Sequence, residues 1–75
     1  MSKWLVTFEY EYSITKKEHK NKFVEFKSEY PTKEEIQELG KNNVKIIEYT
    51  FGNAENNYKC DHKIYPIILF MQKIL

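Results

Sequence analysis

The sequence predicts an α+β fold: an antiparallel sheet of three to four strands with a short helix and an apolar C-terminal helix on one face, in the order β-β-α-β-β-α. Three observations carry that expectation. From Lys3 to Ile14, Trp4, Val6, Phe8, Tyr10, Tyr12 and Ile14 fall on every second residue, so one face is apolar or aromatic and the other mostly polar. Thr32-Lys33-Glu34-Glu35 matches a capping box, in which the Thr32 side chain accepts from the Glu35 amide and Glu35 reaches back to the Thr32 amide. Behind Pro66, Ile67, Phe70, Met71 and Ile74 recur at helical spacing.

The remaining segments follow in order. Thr15 to Asn21 is charged and lacks bulky apolar residues, which reads as a long hairpin connection. Lys22 to Tyr30 resumes strand character, with Val24, Phe26 and Tyr30 sharing a face, and ends where Pro31 forces extended geometry. The helix opened at Thr32 is expected to stop at Gly40 after about seven residues, with Ile36 and Leu39 as its apolar side. Asn43 to Phe51 is a third strand whose apolar parity slips between Ile46 and Ile47, as in a strand buried on both faces in the sheet interior or one carrying a bulge. Gly52 to Asn57 is turn chemistry, and Tyr58 to Ile64 alternates again. The cap residue before Pro66 is Tyr65, a poor one, so a terminal strand is the alternative to the terminal helix.

Seventy-five residues, 1–75, make a single domain near the lower size limit for unaided folding. Six Tyr, five Phe and one Trp supply the core in place of staples. The single cysteine, Cys60, excludes an intrachain disulfide, and the chain opens MSKW without an apolar signal region, so the expected compartment is a reducing cytoplasm. Twelve basic against eleven acidic residues give a net charge of +1, which argues against both a general nucleic-acid binder and an acidic DNA mimic. The longest apolar run, Ile67 to Met71, is far short of a membrane span.

Candidate chemistry is sparse. Lys16, Lys17, His19, Lys20 and Lys22 place five potential cations within seven residues, a candidate grip for a phosphate-bearing ligand or an acidic partner, or else a solvated loop. Cys60-Asp61-His62 holds ligand types, but without a second cysteine and with His19 elsewhere it lacks the four donors zinc takes, so no metal and no cofactor is expected. Cys60 and His62 share a strand face with no orienting acid, and Asp61 points the other way. Glu9 and Glu11 are expected to pair with lysines such as Lys27 and Lys45. Gly40 and Gly52 stand alone and build no phosphate loop, so no enzyme is predicted. Leu5 and Phe23 break the polar parity of the first two strands and suggest a small apolar docking spot.

A mismatch of lengths points to self-association. A short helix cannot cover a strand of ~40 Å, and the terminal segment is apolar nearly all round. Ile67, Phe70, Met71, Ile74 and Leu75 are therefore the expected contacts of a homodimer or higher oligomer.

In its first strand MSKWLVTFEYEY, its capped helix at YPTKEEIQEL and the strand NVKIIEYTF, the chain resembles short phage-encoded or mobile-element proteins over residues 1–51. That resemblance implies a host-takeover or anti-defence factor that inhibits a host protein by direct contact. It also implies an alternative, an oligomeric sponge for a signalling nucleotide, which in this chain would be enclosed by the lysine-rich hairpins and aromatics such as Tyr10 or Tyr12. A structural accessory subunit is the third expectation.

Overall fold

In the computed structural model, which describes residues 1–53 and 55–75, the elements are β1 (Ser2–Glu11), β2 (Lys17–Phe26), α1 (Lys33–Asn42), β3 (Lys45–Gly52), β4 (Asn57–Ile64) and β5 (Ile67–Lys73). The fold is α+β with antiparallel sheets, but the strands divide into two sheets rather than one. β1 is the middle of three in the order β2-β1-β5, and β3 pairs only with β4. None of the described helical residues forms a helix long and apolar enough to cross a membrane.

β1 takes the central position because its alternation is complete enough to bury one whole face while both its edges are paired. Val6 and Phe8 are fully covered and Tyr10 nearly so. They share one cluster with Phe26, Leu39 and Ile64, ringed by Trp4, Tyr12, Val24, Ile47, Ile68 and Met71. The buried Tyr10 hydroxyl donates to the Asn43 carbonyl at 2.5 Å, which joins the sheet to the end of the helix.

The expected long loop between the first two strands is mostly strand. The amides of Tyr12 and Ser13 donate to the Lys16 carbonyl at 2.9 and 3.2 Å, closing a short turn, and β2 begins at Lys17. β2 is an edge strand whose charged residues face water, so it lacks the apolar signal that marks an interior strand. It also ends earlier than expected, at Phe26. Residues 27–30 fold back under β1: Ser2 Oγ donates to the Ser28 carbonyl at 2.6 Å, and the Tyr30 ring meets Trp4 edge-on with centroids 6.0 Å apart.

The capping box forms as the sequence predicts, with Glu35 N to Thr32 Oγ1 at 3.2 Å and Thr32 N to Glu35 Oε1 at 3.0 Å. Gly40 does not end the helix. α1 continues through Asn42, and Asn43 closes it by donating its side-chain amide to the Leu39 carbonyl at 2.8 Å.

The expected apolar C-terminal helix is instead a strand, β5, on the free edge of β1. Thr7 pairs with Phe70 and Phe8 with Ile68, so Leu69 is an extra residue forming a β-bulge. That bulge explains the misleading pattern. It leaves Ile68 and Met71 facing the core and Ile67 and Phe70 facing outward, each pair three residues apart, which imitates helical spacing. Its backbone end is tied down as well: Ile74 N donates to the Lys3 carbonyl at 2.7 Å and Lys3 N to the Leu75 carbonyl at 2.9 Å.

The third predicted strand is not in a sheet interior. Val44 precedes β3 and Ile46 lies on its polar face, which accounts for the parity slip without a bulge. Pairs Ile47 with His62, Tyr49 with Cys60 and Phe51 with Tyr58 gather the apolar and aromatic side chains on one face of the β3–β4 hairpin. Glu48, Thr50, Lys59, Asp61 and Lys63 take the other. At its tip Gly52 has φ +125°, and an added Cβ there would strike the Asn56 carbonyl oxygen. The Asn53 side chain accepts from the amides of Glu55 and Asn56 at 3.0 and 2.8 Å, completing the turn.

Ile64 is buried in the core and Ile47 packs at its margin, so the root of this hairpin lies over β1. Its outer part extends away as an arm. Strands of ten and eight residues measure about 33 and 26 Å, and placed nearly end to end they account for the long dimension of 56 × 22 × 16 Å. The radius of gyration, 16.3 Å, exceeds the about 11 Å of a compact chain of this length.

Replacing Phe8 by Ala removes the largest fully buried side chain. The expected cost of about 3–5 kcal/mol matches or exceeds the net stability of so small a core. Urea denaturation followed by circular dichroism should show F8A largely unfolded without denaturant.

Candidate functional site

Strand alternation separates the lysine-rich segment into two faces. Lys17 and His19 lie on the outer face of β2, opposite Glu11 and Glu9, while Lys20 and Lys22 lie on the inner face, opposite Phe8 and Val6. Glu9 contacts both outer side chains, the His19 ring at Nε2 at 2.9 Å and Lys17 Nζ at 3.8 Å. Lys22 Nζ donates to Asn43 Oδ1 at 3.0 Å, and Lys16 Nζ sits 5.3 Å from the centre of the Tyr12 ring. The five cations therefore occupy distinct surroundings rather than one grip. The expected partners of Glu9 and Glu11, Lys27 and Lys45, are engaged elsewhere or distant; Glu9 takes cations of the adjacent strand instead.

Lys45 belongs to a polar cluster where the arm leaves the sheet. Its ammonium pairs with Glu18, lies 3.3 Å from the Tyr12 hydroxyl and stands 4.6 Å from the centre of the Tyr10 ring. Tyr12 also donates to Glu18 at 3.0 Å. Hydrogen bonding to Lys45 and then to Tyr12 holds the Glu18 carboxyl below its ordinary value of 4.5. Its bond to Glu18, and then its own bond to the Tyr12 hydroxyl, hold Lys45 above 10.5. Burial raises the Tyr10 hydroxyl above 10.0, keeping it a neutral donor to Asn43. This cluster is internally satisfied. Tyr10 is buried and presents no open ring to a ligand.

The free surfaces are apolar. On the outer face Leu5 stands directly opposite Phe23, so the predicted spot exists as a cross-strand pair, with Lys3 Nζ 5.2 Å from the centre of the Phe23 ring. Phe70 and Ile67 of β5 extend that face, exposed at 57 % and 54 %. Of the residues expected to self-associate, Met71 packs on the core, Ile67 and Phe70 turn outward, and Ile74 and Leu75 keep exposed side chains while their backbones bond Lys3. Leu69, at the bulge, was not singled out by the sequence, because its exposure depends on the extra residue. An open groove of about 450 Å³ runs between α1 and the start of β5, lined by Ile36, Gly40, Tyr65, Pro66 and Ile68 among others. Its residues come from segments too far apart in sequence to show a pattern.

Cys60 and His62 lie on the aromatic face of the arm, Cys60 opposite Tyr49 and the His62 ring edge-on to Tyr49 at 6.1 Å. Among the described residues no group of three His, Cys, Asp or Glu side chains converges to hold a metal ion.

The site thus defined is a set of surfaces on a small α+β scaffold: an unpaired apolar edge, an apolar outer spot and an aromatic arm. No family model, curated protein or solved structure matches the chain.

The Glu18 shift has a definite sign. With its folded value lowered, the pair contributes stability that is present above the ordinary carboxylate value and is lost as pH falls through the lowered one. Lys45→Met should return Glu18 toward 4.5, read as a higher midpoint in a carboxyl NMR titration.

Proposed function

We propose that this chain is a small binding protein that acts by direct contact with another protein, whose extended segment adds as a strand to the free edge of β5. The observation that carries this reading is the contrast between the two edges of the three-stranded sheet. β2 presents Lys17, Lys20 and Lys22, the charged side chains that discourage foreign strands, and β5 has no charged residue from Ile67 to Gln72. An edge with unpaired amides and carbonyls beside exposed Leu69 and Phe70 offers backbone hydrogen bonds for affinity and apolar side chains for selection.

The outer spot of Leu5, Phe23 and Phe70 adjoins that edge and would widen the contact, within a rim of Lys3, Glu9 and Glu25. The resemblance to short phage and mobile-element proteins directs the proposal toward a host protein, inhibited in the host cytoplasm by occupation of its own binding strand. No catalytic group is required. The sponge reading draws less support, because the lysines that would enclose a nucleotide are divided between two faces.

The double substitution Leu69→Lys and Phe70→Lys installs the protection that β5 lacks while changing only exposed side chains. Immobilised unmodified chain should retain one host protein in stoichiometric amount, and L69K/F70K should retain at least about tenfold less, a loss of about 1.4 kcal/mol. Lys20→Glu should leave retention unchanged. Equal retention by all three chains would reject docking at β5.

A further inference from the structure

We infer that the aromatic face of the β3–β4 arm is an interface with the same face of a second copy of this chain, related by a two-fold axis. This does not rest on the β5 docking proposal. It follows from what the arm leaves uncovered.

A two-stranded hairpin alone is marginally stable in water, and needs a further layer on its apolar face. Only the root of this one has such a layer, through Ile47 and Ile64. Beyond it, Tyr49, Phe51 and Tyr58 are exposed at 47 %, 53 % and 55 %. Their rings already form a packed strip: Phe51 stacks on Tyr58 at 5.6 Å, and Tyr49 lies 6.2 Å from Phe51 and 6.1 Å from His62. None of Tyr49, Phe51 and Tyr58 belongs to the core or to the residues packed against it.

The chain as a whole exposes an excess of interface size. The accessible surface is 5933 Å², about 1,000 Å² more than a folded monomer of 9.1 kDa exposes. A standard interface removes about 800 Å² from each partner.

Charge and symmetry favour a second copy as the occupant. Lys45, Lys59 and Lys63 balance Glu48, Glu55 and Asp61 along residues 45–64, so two arms approach without net repulsion. The strip itself carries hydroxyls, a thiol, an imidazole and hydrocarbon, with no fixed charge awaiting an opposite one. A two-fold contact requires just one such surface, self-complementary when the arms run antiparallel. Each arm then supplies the layer the other lacks, and both β5 edges remain outside the contact.

Sedimentation and light scattering of the full chain across a wide concentration range test this. The expected mass is twice 9.1 kDa, and Phe51→Glu with Tyr58→Glu should weaken the dimer by about 100-fold, as should Tyr49→Lys alone. L69K/F70K should remain dimeric, which separates this outcome from failure of the β5 proposal. In the unmodified chain, NMR signals of the Tyr49, Phe51 and Tyr58 rings should shift on dilution while those of Phe23 stay fixed. A monomer at every concentration overturns the inference, as do arm variants that dimerise like the unmodified chain, or dimerisation lost only in L69K/F70K.

Discussion

The packing of Val6, Phe8 and Tyr10 with Leu39 and Ile64 is the contact on which the other elements depend. It is small, since only six apolar side chains among the described residues are buried, yet it draws on the central strand, the helix and the base of the arm together. β1 can serve this role because its alternation turns Trp4, Val6, Phe8 and Tyr10 the same way, with Leu5 on the other face, and because both its edges are hydrogen-bonded. Tyr10 adds the one polar tie within that cluster, and burial maintains its hydroxyl in the donating form.

From this core the molecule develops two unlike edges and two unlike hairpins. The β1–β2 hairpin is lined by charges that satisfy one another, through Glu9 with His19 and Glu18 with Lys45. Beyond Lys45 at its root, the β3–β4 hairpin segregates its charges onto one face and its rings onto the other. The first arrangement suits water; the second suits a neighbour. The same contrast holds between the lysine-bearing edge of β2 and the edge of β5, which carries no charge from Ile67 to Gln72, so the surface chemistry separates a charged side from an apolar one.

The legibility of the sequence varied with the number of interactions that set each element. The complete alternation in β1 and the Thr32–Glu35 box were readable because each is local and self-sufficient. Lys17 to Asn21 read as a loop because an exposed edge strand has no reason to be apolar. β5 read as a helix because the Leu69 bulge converts a spacing of two into one of three, and that bulge is visible only once β1 is beside it. The helix end was misplaced because the Asn43 side chain, rather than Gly40, completes the last turn. Of the candidate site, the apolar pair of Leu5 and Phe23 was legible, whereas the ion pair of Glu18 and Lys45, 27 residues apart, required the fold.

The narrow base of the arm makes the molecule a lever. Lys45, Ile47 and Ile64 hold about 26 Å of hairpin, so a rotation of about 10° at these residues sweeps the tip through about 5 Å. Substitutions at Lys45 or Ile47, at the margin of the core, therefore bear on the arm's direction, whereas one at Ile64 also bears on the core itself. The bearing of the arm thus rests on three side chains, one of them, Ile64, in the core and one, Ile47, packed against it.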